Sequence, residues 1–292
     1  MPATAAPVHD VVDRLENASP LDPAVKAVRA VVRKALGPPQ VRDALHGVWL
    51  GHPLHPILTD VPIGMWSAAA VLDVLPGTGP ASATLIGVGC AAVAPTAVTG
   101  WADWSQLHSQ HQRVGIVHAA ANVAALACYT ASLVARARGR TVRGKALAYL
   151  GLTAMSAGGY LGGHLTFRQA AGVNHAADTV DLVPAGWTGI GRLDDLPDGE
   201  LATRRVGDVD VLVMRRGRHV DALANTCSHL SGPLADGEFQ VEAGQGCVVC
   251  PWHGSTFRLA DGAVVHGPAT SPAPRFESRL TGDTVELRFA PA

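Results

Sequence analysis

Apolar residues are unevenly distributed along this chain. Between positions 54 and 166 they form four long runs, whereas beyond position 187 they alternate with polar residues in short segments. A helix needs about 20 apolar residues to cross a bilayer, and the four runs approach that length. They are residues 54–75, 81–101, 113–135 and 145–166. The second and fourth runs have no charged residue in their interiors, which favours membrane-spanning helices over a soluble bundle with polar stripes.

The flanking segments have different patterns. At the N-terminal side, Asp22-Pro23 is a helix-start signal, and apolar Val25 and Val28 recur at helical spacing opposite basic residues. Such a basic amphipathic helix either lies on an anionic membrane surface or packs on the C-terminal domain. At the C-terminal side, residues 209–214 and 220–224 alternate as β-strands do, between Gly- and Asp-rich turns.

These patterns predict an α+β protein of two domains, in which a four-helix transmembrane bundle precedes an all-β domain. We expect N-terminal amphipathic or interfacial helices over residues 1–53, the transmembrane domain over 54–170, a linker over 171–186 and the all-β domain over 187–292. Residues 1–7 lack a basic start, so we expect no cleavable signal peptide. The formal net charge of −1 gives no indication of nucleic-acid binding.

Two matched Cys/His loops carry the clearest chemistry in the all-β domain. Cys227 and His229 form the first pair, and Cys250 and His253 form the second. Two cysteines on one iron and two histidines on its neighbour are the ligands of an asymmetric [2Fe–2S] centre. The same four residues also satisfy tetrahedral zinc. Zinc modules usually place a Cys pair before a His pair, whereas Cys and His alternate here, so the order favours the iron–sulfur cluster.

The surroundings of both loops resemble the Rieske [2Fe–2S] family over about the last hundred residues. The matching residues are Cys227-Ser-His-Leu, Gly232-Pro-Leu, Cys250-Pro-Trp-His-Gly-Ser-Thr-Phe, Asp261-Gly and Gly267-Pro-Ala. The resemblance implies that Cys227 and Cys250 hold a buried iron, that His229 and His253 hold an exposed iron, and that Ser255 donates a hydrogen bond to a cluster sulfur. The bridging disulfide of quinol-oxidising relatives has no counterpart here, which implies the ferredoxin or oxygenase type and the lower part of a potential range of roughly −150 to +300 mV.

Two further features limit the activity. Cys247 lies three residues before Cys250, and we interpret it as an ordinary strand residue because both loops already have their ligands. Oxygenases with such a cluster add a mononuclear iron, held by two His and a carboxylate, in a large following domain. Only about forty residues follow His253, and His266 is the one further histidine among them. We therefore expect an electron carrier or oxidoreductase component rather than a complete enzyme.

The membrane part also resembles a known family. Residues 46–66 contain His52-Pro-Leu-His55-Pro, and they resemble an uncharacterised bacterial four-helix membrane family marked by His-Pro-x-His-Pro. Trp101, Trp104 and His118 fit the same family, and the similarity extends over roughly residues 40–175. The resemblance implies a membrane location and no particular activity.

Histidines are concentrated on one side of the predicted bundle. If four helices span the bilayer, that side holds His52, His55, His108, His111, His118, His164 and His175. Ionisable groups in a membrane are costly and usually functional. We predict a second site with His55, His118 and His164 as ligands and His52 as an alternative; a b-type haem, another metal and a quinone pocket remain open. Asp60 and Asp103 lie near the same side as second-shell or proton-handling groups.

Two features of the chain favour opposite membrane orientations. The short loop 136–145 is rich in Arg and Lys, which favours a cytoplasmic position for the side opposite the histidines. A Rieske-type domain without a disulfide suits a reducing compartment instead. We expect a multi-pass protein of the cell (inner) membrane with a cytoplasmic C-terminal domain.

The sequence thus predicts a membrane-anchored electron-transfer protein with a [2Fe–2S] cluster and a second site, in contact with membrane lipid. Its expected partner is a redox protein or a quinone. The alternatives are a redox sensor and an electron donor to a separate oxygenase, with the bundle serving only as an anchor.

Overall fold

The computed structural model describes residues 7–290, which form two compact units. The first, called the helical unit, contains the chain up to residue 37 and residues 54–171. The second, called the β unit, contains residues 38–53 and the chain from residue 172 onwards. The predicted N-terminal segment 1–53 is therefore divided between the units, and its first six residues lie outside the described range. The predicted linker 171–186 belongs almost entirely to the β unit.

The helices are consistent with the periodicity of the sequence. In chain order they are α1 (Pro7–Glu16), α2 (Asp22–Ala35), α3 (Pro39–His46), α4 (Leu54–Val74), α5 (Gly79–Trp104), α6 (Ser109–Ala137), α7 (Thr141–Gly163) and α8 (Thr179–Leu182). Helix α7 continues into a π-helical turn, His164–Arg168. Helices α4, α5 and α6 are long and apolar enough to cross a membrane. Helix α7 has 23 residues, and its role as a fourth span stays a prediction.

Large aromatic side chains and glycines join the helices of the helical unit. Trp66 of α4 stacks on Tyr129 of α6 with ring centroids 4.2 Å apart. A Cβ on Gly89 would lie 2.4 Å from the Trp66 ring, and a Cβ on Gly151 would lie 2.9 Å from the Tyr129 ring. Glycine is therefore required at both positions for the helices to approach so closely.

Helix α2 begins at Asp22, as predicted, and belongs to the helical unit. Arg113 of α6 donates two hydrogen bonds to the Asp22 carboxylate, at 2.7 and 3.0 Å. These bonds and the charge of Arg113 lower the pKa of Asp22. The start of α2 is thus joined to α6 within the helical unit.

The β unit contains two antiparallel sheets. The strands are β1 (Thr188–Arg192), β2 (Leu201–Val206), β3 (Val209–Arg216), β4 (His219–Ala224), β5 (Glu238–Glu242), β6 (Gln245–Val249), β7 (Thr256–Arg258), β8 (Val264–His266), β9 (Arg275–Thr281) and β10 (Thr284–Ala290). One sheet has the order β1-β10-β9-β4-β3-β2, and the other has the order β5-β6-β7-β8. The α+β architecture with an all-β C-terminal domain is confirmed.

Both Cys/His loops leave this framework at strand ends. The first loop follows β4 and the second connects β6 to β7. Cys247 lies within β6, as predicted, with a buried side chain. The strands anchor both ends of the second loop because Val249 of β6 pairs with Thr256 of β7.

Candidate metal centre

The backbones of the two Cys/His loops are closed in the same way. In each loop the cysteine N–H donates a hydrogen bond to the carbonyl oxygen of the residue five positions later. The N–H of the residue four positions later donates a hydrogen bond back to the cysteine carbonyl oxygen. These two distances are 2.8 and 2.9 Å for Cys227, and 2.8 and 3.1 Å for Cys250. Matching hydrogen bonds give the loops equivalent shapes, so each presents one thiol and one imidazole.

The two thiols meet in the interior. Cys227 and Cys250 are 1 % and 3 % exposed, and their sulfur atoms share a hydrogen bond. That bond and burial raise the pKa of Cys227, whereas the same bond and the N–H groups of Trp252 and His253 lower the pKa of Cys250 to about 7. Gly232 lies against this pair, because a Cβ there would be 2.7 Å from the Cys250 sulfur. The interior therefore brings together two soft ligands, as one iron requires.

The two imidazoles lie nearer the surface. The His229 and His253 rings are half-buried, with centroids 5.0 Å apart and planes at 86°. Trp252 beside them is 49 % exposed. Two buried thiols and two outer imidazoles are the donor set expected for the two irons of an asymmetric [2Fe–2S] cluster, so these residues fit that group.

Ser255 connects the second loop to residues 267–269. Its side chain is buried, and its Oγ accepts a hydrogen bond from the Ala269 N–H at 2.9 Å. The hydroxyl proton of Ser255 therefore remains available for a cluster sulfur.

Removing that hydroxyl is expected to lower the reduction potential. Ser255→Ala should shift it down by roughly 50–100 mV, because a hydrogen bond to a charged group is worth about 1.5–3 kcal/mol and strengthens when an electron is added. A redox titration followed by electron paramagnetic resonance measures the shift. Ser278→Ala is the control, because Ser278 donates to the Val220 carbonyl oxygen. Equal potentials in the two variants would contradict the role of Ser255.

A helix that precedes the membrane part packs on β8 and on Gly267, which follows it. Asp43 of α3 accepts hydrogen bonds from the Gly267 N–H at 2.9 Å and from His266 Nδ1 at 2.7 Å. Glu242 contacts the other ring nitrogen, Nε2, at 2.8 Å. A Cβ on Gly267 would lie 3.1 Å from Val48. We call residues 38–53 the strap; sequence reasoning missed its position because Asp43 and His266 are 223 residues apart with no shared local pattern.

The strap makes β-unit stability depend on pH. Burial opposes a charged imidazole, but hydrogen bonds and charges from Asp43 and Glu242 outweigh it and raise the pKa of His266. The resulting stabilisation is complete below the unfolded-state pKa of about 6.5 and disappears as pH rises through the higher folded-state value.

Asp43→Asn tests this linkage, because it keeps an acceptor for Gly267 and removes the charge. We expect a loss of about 1 kcal/mol at pH 6 and a much smaller loss at pH 9, measured by thermal unfolding of the β unit within the full chain. The control is Asp283→Asn, whose carboxylate is exposed and pairs with Arg192. A loss that does not change with pH would rule out His266 as the titrating group.

His175 also lies beside the cluster loops. Its N–H donates to the Ser228 carbonyl oxygen at 3.0 Å, and its Nδ1 is 3.2 Å from Ser231 Oγ. Its position on the same membrane side as the other histidines stays a prediction; in the structure residue 175 belongs to the β unit.

The remaining histidines of the predicted second site have separate partners. His55 Nδ1 lies 2.9 Å from the Thr96 carbonyl oxygen, and His118 Nδ1 lies 2.7 Å from that of Gly158. His164 Nε2 lies 2.5 Å from Glu16 Oε1, and exposed His52 lies 3.1 Å from the Pro53 carbonyl oxygen. Among residues 7–290, no group of three or more His, Cys, Asp or Glu is arranged to hold one metal ion.

Comparisons with known proteins match both parts of the chain. Residues 186–277 match the Rieske [2Fe-2S] domain, and residues 51–175 match a predicted membrane protein family, DUF2231. The anthranilate 1,2-dioxygenase ferredoxin subunit of Burkholderia cepacia is 30% identical over 35% of this chain and 92% of its own length. The cytochrome b6-f complex iron-sulfur subunit of Chlorobaculum thiosulfatiphilum is 25% identical over 35% of this chain and 52% of its own.

Among solved structures, the ferredoxin of carbazole 1,9a-dioxygenase from Nocardioides aromaticivorans IC177 is similar to the β unit. It is 27% identical in sequence, and the TM-score is 0.33. The match covers 36% of this chain and 98% of the ferredoxin. Another solved structure is a complex of reduced oxygenase and oxidized ferredoxin from a carbazole 1,9a-dioxygenase. These relatives match about a third of this chain, so they are counterparts of its C-terminal part.

Proposed function

This chain belongs to the Rieske [2Fe–2S] family, and on that premise we propose that it is a membrane-anchored electron-transfer protein. The observation that carries the proposal is the pair of matched Cys/His loops in a chain that also has three helices able to cross a membrane. When bound, the cluster supplies one-electron transfer. Buried Cys227 and Cys250 would hold the inner iron, and half-buried His229 and His253 would hold the iron nearest the surface.

The donor and acceptor are proposed from the chemistry of the site. The two outer imidazoles and the exposed Trp252 offer a surface on which a redox protein or a quinone can approach the cluster. Ferredoxin relatives support a protein partner, because one of them has been solved in complex with an oxygenase. A redox sensor and an electron donor to a separate oxygenase are the competing functions, and in both the helical unit is only an anchor.

The proposed location is the cell (inner) membrane, with several spans and a cytoplasmic β unit. Support for a reducing compartment comes from the cysteines, because Cys90, Cys128, Cys227, Cys247 and Cys250 are all free thiols. A cysteine introduced at exposed Arg218 and labelled in intact cells tests the orientation. Labelling by an impermeant maleimide before lysis would place the β unit outside.

The second site remains part of the proposal, centred on His55 and His118. Each Nδ1 faces a backbone carbonyl oxygen, so the proton belongs on Nδ1 and the lone pair on Nε2. Gly100 and Gly162 give the two rings room, because Cβ atoms there would lie 2.7 and 3.2 Å from them. The Asn122 amide donates to His118 Nε2 at 3.1 Å and would have to turn away before that nitrogen could bind a haem, another metal or a quinone.

The experiment uses the full chain purified in detergent. We expect about two irons per chain, a rhombic signal after dithionite reduction, and rapid reoxidation by a short-chain quinone. A sensor would be reoxidised slowly. A haem Soret band would establish haem at the second site, whereas iron limited to two per chain without that band would leave only the cluster and a quinone.

His118→Ala separates an active helical unit from an anchor. If the second site passes electrons, this variant slows reoxidation by quinone while the cluster signal stays intact. His108→Ala is the matched control, since it removes a histidine just before α6 that is not part of the proposed site. Equal rates of reoxidation in the two variants would mean that the helical unit is only an anchor.

A further inference from the structure

We propose that a groove between α6 and α7 binds an anionic phospholipid, with an acyl chain along α6 and the headgroup phosphate at three arginines. The groove has a volume of about 570 Å³ and is lined mainly by apolar residues of α6, with Leu147 from α7. Arg138, Arg140 and Arg143 lie at one end of it, where α6 turns into α7.

The shape of the groove suits an acyl chain. Its wall on α6 runs from Val123 to Arg138 in steps of three and four residues, which places those residues on one helix face. At about 1.5 Å per residue this face is about 22 Å long. The hydrocarbon core is about 30 Å thick, so the groove is long enough for one chain to extend from the headgroup to the midplane. Two of the residues on this face are small, Ala127 and Ala131.

The charge at the groove end has no counter-ion among the residues that the structure describes. Two basic residues of the segment 136–145, Arg136 and Lys145, bond to Asp73. Arg136 Nη1 lies 3.0 Å from Asp73 Oδ1, and Lys145 Nζ lies 2.5 Å from the Asp73 carbonyl oxygen. No ion pair in the described part of the chain involves the three groove arginines. Three unpaired guanidinium groups beside an apolar groove favour a phosphate-bearing ligand.

The setting determines which phosphate-bearing ligand fits. Helix α6 is one of the helices able to cross a membrane, and Val123 and Val134 of the groove wall are 65% and 44% exposed. In a bilayer this surface faces lipid tails, so the occupant needs an apolar body as well as a negative end. Basic pockets between membrane helices bind anionic headgroups in this way.

The test compares lipids on the full chain in a neutral detergent. Phosphatidylglycerol should raise the unfolding temperature by several degrees and remain bound as one molecule per chain in native mass spectrometry, whereas phosphatidylcholine should do neither. The combined variant Arg138→Gln, Arg140→Gln and Arg143→Gln should lose both effects. A control with the same charge change on the β unit, Arg192→Gln, Arg205→Gln and Arg218→Gln, should keep them.

A second variant keeps the arginines and fills the groove. Ala127→Phe with Ala131→Phe places bulk on an exposed helix face, so the fold is expected to tolerate it while phosphatidylglycerol binding is lost. Inorganic phosphate alone should give no stabilisation. Equal effects of the two lipids, stabilisation by phosphate alone, or unchanged binding in either groove variant would each overturn the proposal.

Discussion

Replacing Cys227 by Ser is expected to abolish the iron–sulfur centre. The variant should lose both irons and the signal seen after reduction, because a serine hydroxyl does not ionise to replace a thiolate and one thiol cannot retain the inner iron. The β unit should also unfold at a lower temperature, since metal binding contributes directly to folding stability. Iron analysis and paramagnetic resonance on the purified full chain measure the loss.

Cys247→Ser is the matched control for this experiment. Cys247 lies three residues from Cys250 and is equally buried, but its Sγ bonds to the Gln245 carbonyl oxygen at 3.6 Å and burial raises its pKa. This variant should keep both irons. Loss of iron in Cys247→Ser, or stoichiometric zinc in the wild-type protein, would show that the ligands or the metal are wrongly assigned.

Removing the charge of Asp73 is expected to destabilise the helical unit by about 3–5 kcal/mol. The Asp73 side chain is fully buried and that of Arg136 is 8% exposed, and together they form an ion pair between α4 and α6. Asp73→Asn leaves the Arg136 guanidinium buried without a counter-charge, which accounts for the size of the effect. Thermal unfolding in detergent measures the loss.

Two further variants show whether charge is the cause. Asp60→Asn changes the same residue type on an exposed face of the same helix, so little change is expected. Asp73→Asn combined with Arg136→Met removes both charges and should recover part of the lost stability. No recovery in the double variant would show that packing, rather than the unpaired charge, explains the destabilisation.

Sequence reasoning succeeded where the relevant signal is local. The predicted spans 54–75, 81–101 and 113–135 correspond to helices α4, α5 and α6, because apolar length is sufficient to indicate a membrane helix. The fourth run is also a helix, α7. This helix is rich in glycine and has two basic residues, Arg143 and Lys145, in its first turns. Its apolar signal is therefore weaker, and its membrane crossing stays a prediction.

The sequence does not say which distant residues meet. In the structure the histidines of one predicted membrane side have different neighbours: His164 contacts Glu16, and His175 lies beside Ser231. His108 and His111 lie with ring centroids 5.8 Å apart, whereas His55 and His118 each face a backbone carbonyl oxygen. Helical spacing gives the height of a residue along its own helix and leaves open which helices pack together.

The sequence by itself determined the two-part architecture, because apolar length and strand alternation carry it, and it predicts Cys227, His229, Cys250 and His253 as the cluster ligands. Only the tertiary structure decided that residues 38–53 join the β unit and that Asp43 holds the Gly267 loop beside Ser255. The same is true of Asp73, whose partner Arg136 is 63 residues away. Such contacts depend on how helices and strands pack against each other, and no local pattern of residues encodes them.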